Sequence, residues 1–188
     1  MKKIIIILTL LLSVVSFSET TYFQVGITPE LKLFSSEEVT GIRVPIFFGT
    51  TEKVTGVDFN LFTSEVDEFT GISGGIFVGA GIFSKVNTKF RGIGLNIANI
   101  QGGDSKGVLL GGFNMTNDFA GLKLGLFNYS KEKAGAELGV INYSSDVYLQ
   151  VGFINIATDI KGVQFGLLNF SKNGILPVMP FINFSLGD

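Results

Sequence analysis

Asparagine returns along the second half of this chain at positions 99, 114, 128, 142, 155, 169 and 183, separated by 15, 14, 14, 13, 14 and 14 residues. A period of that length, held over six intervals, means one supersecondary unit used repeatedly, with each unit burying its apolar surface against the next. Five of these asparagines have a glycine three residues before them (Gly111, Gly125, Gly139, Gly152, Gly166), and Gly92, Gly107, Gly121, Gly135 and Gly162 open units seven residues before. The unit is G-x-x-x-G-x-x-N. A fainter register continues upstream through Gly41, Gly56 and Gly71, followed by a 21-residue spacing to Gly92.

Inside a unit the apolar residues alternate with period two, the signature of a strand. From Gly121 to Tyr129, Leu122, Leu124, Leu126 and Asn128 share one face, and Gly121, Lys123, Gly125, Phe127 and Tyr129 share the other. Two all-β arrangements fit: a parallel solenoid with one unit per coil, or an antiparallel meander with one unit per strand. Nine residues of straight strand advance roughly 30 Å, and the four or five left over span only about 17 Å. On that count the chain cannot return to start a parallel neighbour. The expectation is therefore an antiparallel up-and-down meander. Centring hairpins on the polar gaps places Gly125 opposite Gly139, Gly139 opposite Gly152 and Leu124 opposite Val140. Eleven strand-like segments can be counted, and a meander of that length closes to avoid sticky edges. This predicts a β-barrel of about 10–12 short strands. Pro177 and Pro180 argue against the last segment being a central strand.

Composition fits a chain that meets lipid or is buried on two sides. It is 46% hydrophobic and 16% charged, with 25 glycines and 19 phenylalanines and no cysteine, histidine or tryptophan. Disulfides, thiol catalysis and the usual zinc, haem or iron–sulfur sites are thereby disfavoured. No metal, cofactor or catalytic residue is expected. A formal charge of −2 without basic clusters argues against nucleic acid.

Lys2 and Lys3 precede an apolar run from Ile4 to Val15, and Ser16 and Ser18 put small residues before a cut after position 18. Residues 1–18 read as a secretory signal peptide, too short to span a bilayer as a helix. Residues 19–188 then form a single β-repeat barrel domain beginning near Glu19. Losing Lys2 and Lys3 leaves it 12 basic and 16 acidic residues.

On the glycine-bearing face, Arg43, Asp58, Lys123, Glu137, Gln150 and Gln164 recur at the third strand position and are expected to face the barrel lumen, where they would set ion preference. The asparagine series is expected to be structural, bonding backbone near strand ends. Asn114, Asn128, Asn142, Asn169 and Asn183 also match N-x-[ST], which the repeat itself explains. Gly102 and Gly103, and the glycines of 71–79, lack phosphate-loop spacing. The carboxylate pairs Glu65 and Asp67, and Glu37 and Glu38, sit in turn-like segments and are weak as acid–base sites. No nucleophile elbow is present.

The units GLKLGLFNYS, GAELGVINYS and GVQFGLLNFS, with the closing LPVMPFINFSLGD, resemble those of bacterial surface-repeat proteins carrying tandem G-x-x-x-G-x-x-N β units behind a signal peptide. The resemblance covers roughly 92–188 and implies a cell-surface or outer-membrane setting, with no catalytic assignment. The leading expectation is an outer-membrane β-barrel of a diderm bacterium, non-enzymatic, in contact with outer-membrane lipid, serving as a narrow pore or a structural surface protein. The rival is a secreted or periplasmic β-repeat binding or adhesion module. A lipid-modifying barrel enzyme would need a histidine- or serine-based site that the sequence lacks.

Overall fold

A computed structural model describes residues 20–75 and 81–186. The proposed signal peptide, the start at Glu19 and part of the 71–79 glycine run lie outside the described residues. The chain is all-β, as its alternation requires, but it is a β-solenoid and not a barrel. Among the described residues eight strands are defined: β1 (Thr20–Gly26), β2 (Lys32–Leu33), β3 (Glu38–Pro45), β4 (Phe48–Phe59), β5 (Thr63–Gly74), β6 (Gly81–Leu110), β7 (Phe113–Ser171) and β8 (Val178–Phe184). From β1 through β3, β4, β5 and β6 to β7, each pairs in parallel with the next. β6 and β7 run for 30 and 59 residues because inter-coil pairing continues unbroken through the bends.

Register follows the repeat. Gly41 pairs with Gly56, Gly56 with Gly71, Gly71 with Gly92, and Gly107 with Gly121. In the long coil between Gly71 and Gly92, Gly74 still pairs with Leu95 and Thr63 with Phe83, so the extra residues fall between Gly74 and Phe83. These corner glycines have left-handed φ, +142° at Gly71, and a Cβ there would collide with the Gly56 carbonyl oxygen. Only glycine fits both the angle and the spacing.

The antiparallel expectation is corrected by a bend that distance counting ignored. Nine residues of the unit are not one straight strand, because the chain turns a corner at Phe127. Before the corner Lys123 points in and Leu124 and Leu126 point out; after it Asn128 points in and Tyr129 out. Fourteen residues trace a perimeter of about 46 Å, enough to close on the next coil when folded into short sides. Gly125 does neighbour Gly139, and Gly139 neighbours Gly152, as parallel rungs. Leu124 therefore stacks on Leu138 and not on Val140.

Inside, one apolar column runs through Val39, Val54, Phe69 and Phe90, with the Phe69 and Phe90 rings stacked at 5.7 Å. A smaller cluster of Ala134, Val147, Ala157 and Ile160 continues toward the C-terminus. Both ends of the stack reverse direction. β2 pairs antiparallel with β1, and β8 antiparallel with β7. Pro177 and Pro180 find their reason here: the last rung is an edge, and residues without an N–H blunt it against further strand addition. Among the described residues no helix is long and apolar enough to cross a membrane.

Candidate functional site

The six polar residues expected to line a lumen all lie in one inward column. Gln24, Arg43, Asp58, Ser73 and Gly94 stack in sequence, and the column continues through Leu109, Lys123, Glu137, Gln150 and Gln164. With no barrel, this column lines no channel. The side chains bond to one another in a packed interior: Arg43 and Asp58 are 1% exposed, and Lys123 and Glu137 are fully buried.

Lys123 Nζ lies 2.7 Å from Glu137 Oε1 and also donates to Thr116 Oγ1, the Tyr129 carbonyl and Ser130 Oγ. Glu137 Oε2 accepts from Ser144 Oγ at 2.6 Å and Gln150 Nε2 at 2.7 Å, and Gln164 Nε2 donates to Gln150 Oε1 at 2.7 Å. Burial holds the Lys123 ammonium below its ordinary range, opposed by the Glu137 charge. In the other half, Arg43 Nη1 donates to Asp58 Oδ1 at 3.1 Å and to Ser64 Oγ at 2.7 Å. Buried charges persist when paired and bonded to neighbouring polar groups; the Lys123–Glu137 pair is surrounded by hydroxyls and an amide, whereas the Arg43–Asp58 pair shares only Ser64 and leaves Arg43 Nη2 buried without a partner.

Thr116, Ser130 and Ser144 were missed as members of this network. Each is the third residue of an N-x-[ST] match, so the apparent glycosylation motif marks two successive inward positions after the corner. All five matching asparagines are buried and closed to modification in the folded chain.

The asparagines form a continuous ladder. Nδ2 of Asn99 donates to Oδ1 of Asn114, and the same bond links 114 to 128, 128 to 142, 142 to 155 and 155 to 169, at 2.8–2.9 Å. The second amide proton goes to a backbone carbonyl of the next coil, from Leu110, Leu124, Leu138, Val151 and Phe165 in turn. Gly111, Gly125, Gly139, Gly152 and Gly166 leave the room the amides occupy, since a Cβ at each would meet an asparagine amide of the ladder.

Two surface features could meet a partner. Toward the N-terminus a cleft of about 570 Å³ is bordered by Lys32, Ser36, Glu37, Thr50, Glu52, Glu65, Asp67 and Asn87, among others. Several of its groups are engaged with neighbours. Glu65 accepts from Lys85 at 2.7 Å, which holds its carboxyl below the ordinary range, and Asn87 bridges Glu65 and Asp67. Lys32 donates to the Thr50 carbonyl and is held below the usual lysine range by burial and by Arg43. Glu38 pairs with Lys53. Among the described residues no group of three or more Asp or Glu is placed to hold a metal.

The larger feature is the outer face formed before the corner. Its residues alternate along the strand with those expected to face a lumen, and here they point outward from the solenoid. Leu126, Val140, Phe153 and Leu167 form one exposed column at 62, 42, 59 and 55%. Beside it lie Leu124, Leu138, Val151 and Phe165, and Phe181 from β8 closes an apolar groove of about 640 Å³ with Leu138, Val151, Phe153, Phe165 and Leu167. Upstream the same face carries Ile42, Ile72 and Ile93, all exposed. Around the glycine corner from this face, Glu38, Lys53, Glu68 and Lys89 alternate in sign along one column. No family model, curated protein or solved structure matches this chain.

Proposed function

We propose that this chain is an exported, non-enzymatic β-solenoid of a diderm cell envelope, a β-repeat binding module that docks through its outer apolar face. The observation that carries this reading is the column Leu126, Val140, Phe153 and Leu167. Large apolar side chains stand exposed on a fold whose interior is already filled. Soluble monomers rarely leave contiguous apolar patches beyond a few hundred Å² uncovered, and such patches mark interaction sites. The absence of histidine and cysteine from the sequence, and the engagement of Glu65 and Asp67 at the N-terminal cleft by Lys85 and Asn87, support a binding role over catalysis. The signal-peptide pattern of 1–18 and the likeness of the repeats to bacterial surface-repeat units support an extracytoplasmic setting.

Expression of the full chain in a diderm host tests this. The proposal expects the exported protein to begin near Glu19 and to sediment with the envelope. A variant carrying Leu126→Lys, Phe153→Lys and Leu167→Lys, checked for unchanged circular dichroism, is expected in the soluble fraction. A cytoplasmic chain that retains Lys2, or a folded variant that partitions like the wild type, contradicts the proposal.

A further inference from the structure

Resting on the docking reading, we infer that the partner of the outer face is the hydrocarbon of a lipid bilayer, met by a solenoid lying on the membrane along its axis. The chemistry of the face points to this. Its outward columns carry only aliphatic and aromatic side chains and glycine, from Ile42 and Val57 at one end to Phe165 and Leu167 at the other. The backbone beneath is committed to the inter-coil ladder. The face thus offers neither a charge nor a free hydrogen-bonding group. A specific protein interface carries about one hydrogen bond per 100–200 Å² and a polar share similar to the rest of the surface, whereas hydrocarbon asks for none.

The flank of the face is the second observation. Along the glycine corner, the residues preceding the glycines include Thr40, Thr55, Thr70, Arg91, Lys106 and Lys161, and no acid among them. Where the corner lacks glycine the residue is Tyr22 or Tyr148, exposed at 78 and 67%. Basic, hydroxyl and tyrosine groups beside an apolar slab match the headgroup level of a bilayer. There lysine extends its ammonium to water and tyrosine sits half in each phase. Arg91 also reaches Asp104 at 3.5 Å on the charged edge, which stays in water when the slab faces lipid. Side chains of this size insert to the depth of an interfacial element and do not span the membrane.

The groove between the columns gives the contact a local anchor. Phe181 stands 72% exposed on its rim at a φ of +68°, a conformation that phenylalanine adopts only under constraint. Its ring extends the wall begun by Phe153 and Phe165, and the apolar groove they bound suits an acyl segment.

The test uses the exported protein, purified folded, with phosphatidylcholine vesicles and with the same vesicles doped with phosphatidylglycerol. Flotation is expected with both, changing less than about twofold between low and high salt, because burial of apolar surface is not screened. A bimane at Leu126→Cys is expected to be quenched by brominated lipid, and one at Glu132→Cys, which is exposed outside the apolar columns, is not. Leu126→Lys with Leu167→Lys is expected to lower partitioning at least about tenfold. No flotation, or flotation only with anionic lipid and lost in salt, overturns the inference. Protection of position 126 together with a dimer in light scattering also overturns it, by assigning the face to a second copy. In each of these cases envelope retention of the exported chain would still uphold the docking reading, and loss of that retention would remove both.

Discussion

The side-chain amide of Asn128 donates to Asn142 Oδ1 at 2.8 Å and to the Leu138 carbonyl at 3.0 Å, so one residue ties its own coil to the next by two bonds, both beyond the reach of water. Repeated along the stack, this couples the coils in series and adds a side-chain bond to carbonyls just before the corner, as at Leu124, whose carbonyl also accepts from the Gly111 N–H.

Removing a middle rung strands partners on both sides. Asn142→Leu is expected to cost about 3 kcal/mol or more, since it leaves Asn128 Nδ2, Asn155 Oδ1 and the Val151 carbonyl short of a partner. Urea denaturation followed by circular dichroism measures this. Asn183, in the terminal rung outside the Asn99-to-Asn169 ladder, should cost less than half as much when changed to Leu.

The buried ion pair makes a sharper case. Lys123→Met leaves the Glu137 carboxylate without its cation and should destabilise by about 3–5 kcal/mol. Combining Lys123→Met with Glu137→Gln removes the orphaned charge and keeps an acceptor for Ser144 and Gln150. The double variant is expected to recover most of the loss, giving a coupling energy well above about 1 kcal/mol in a double-mutant cycle.

The corner glycines separate sites that look alike in sequence. Gly71→Ala places a methyl against the Gly56 carbonyl at a φ closed to alanine, and the chain should fail to fold or lose more than about 4 kcal/mol. Gly112→Ala meets only the Ile97 carbonyl, at 3.3 Å, and should change stability by less than about 1 kcal/mol. Thermal melts of the two variants make the comparison.

Acid sensitivity has a specific contributor. The Lys85 hydrogen bond lowers the Glu65 pKa below its ordinary 4.5 in the folded chain. A lowered folded value means the unfolded chain binds the proton first. The stabilisation is present at neutral pH and is lost as pH falls through the folded value. Glu65→Gln should show a shallower fall in stability below about pH 5 than the wild type, and no difference in slope above pH 6.

How far these features were legible in the sequence depends on one corner. Alternation gave the all-β class, the period gave the register of Gly41, Gly56 and Gly71, and the third strand position brought Arg43, Asp58, Lys123, Glu137, Gln150 and Gln164 into one inward column. Direction was not legible from reach alone, because reach was counted along a straight line. The corner leaves a mark at Leu126-Phe127, two apolar residues in succession. There the parity of inside and outside flips, which is why Asn128 appeared to share a face with leucines and Tyr129 with Lys123. Pairing of Ser130 and Ser144 with the buried charges was visible only as a glycosylation-like triplet. Nothing in the sequence distinguished a face turned to lipid around a barrel from the same face turned outward on a solenoid.

Parallel in-register stacking is the claim on which the rest depends, and a pair of disulfide traps tests it directly. The chain has no cysteine, and positions 124, 138 and 140 lie on the outer face. In the solenoid Leu124 and Leu138 are laterally adjacent at about 4.8 Å, within disulfide range, and Leu124 and Val140 are about 8 Å apart on a diagonal, outside it. Under mild oxidation Leu124→Cys with Leu138→Cys should crosslink within the monomer nearly completely, and Leu124→Cys with Val140→Cys should remain reduced. Efficient crosslinking of 124 to 140, with 124 and 138 left free, would restore the antiparallel hairpin and contradict the solenoid.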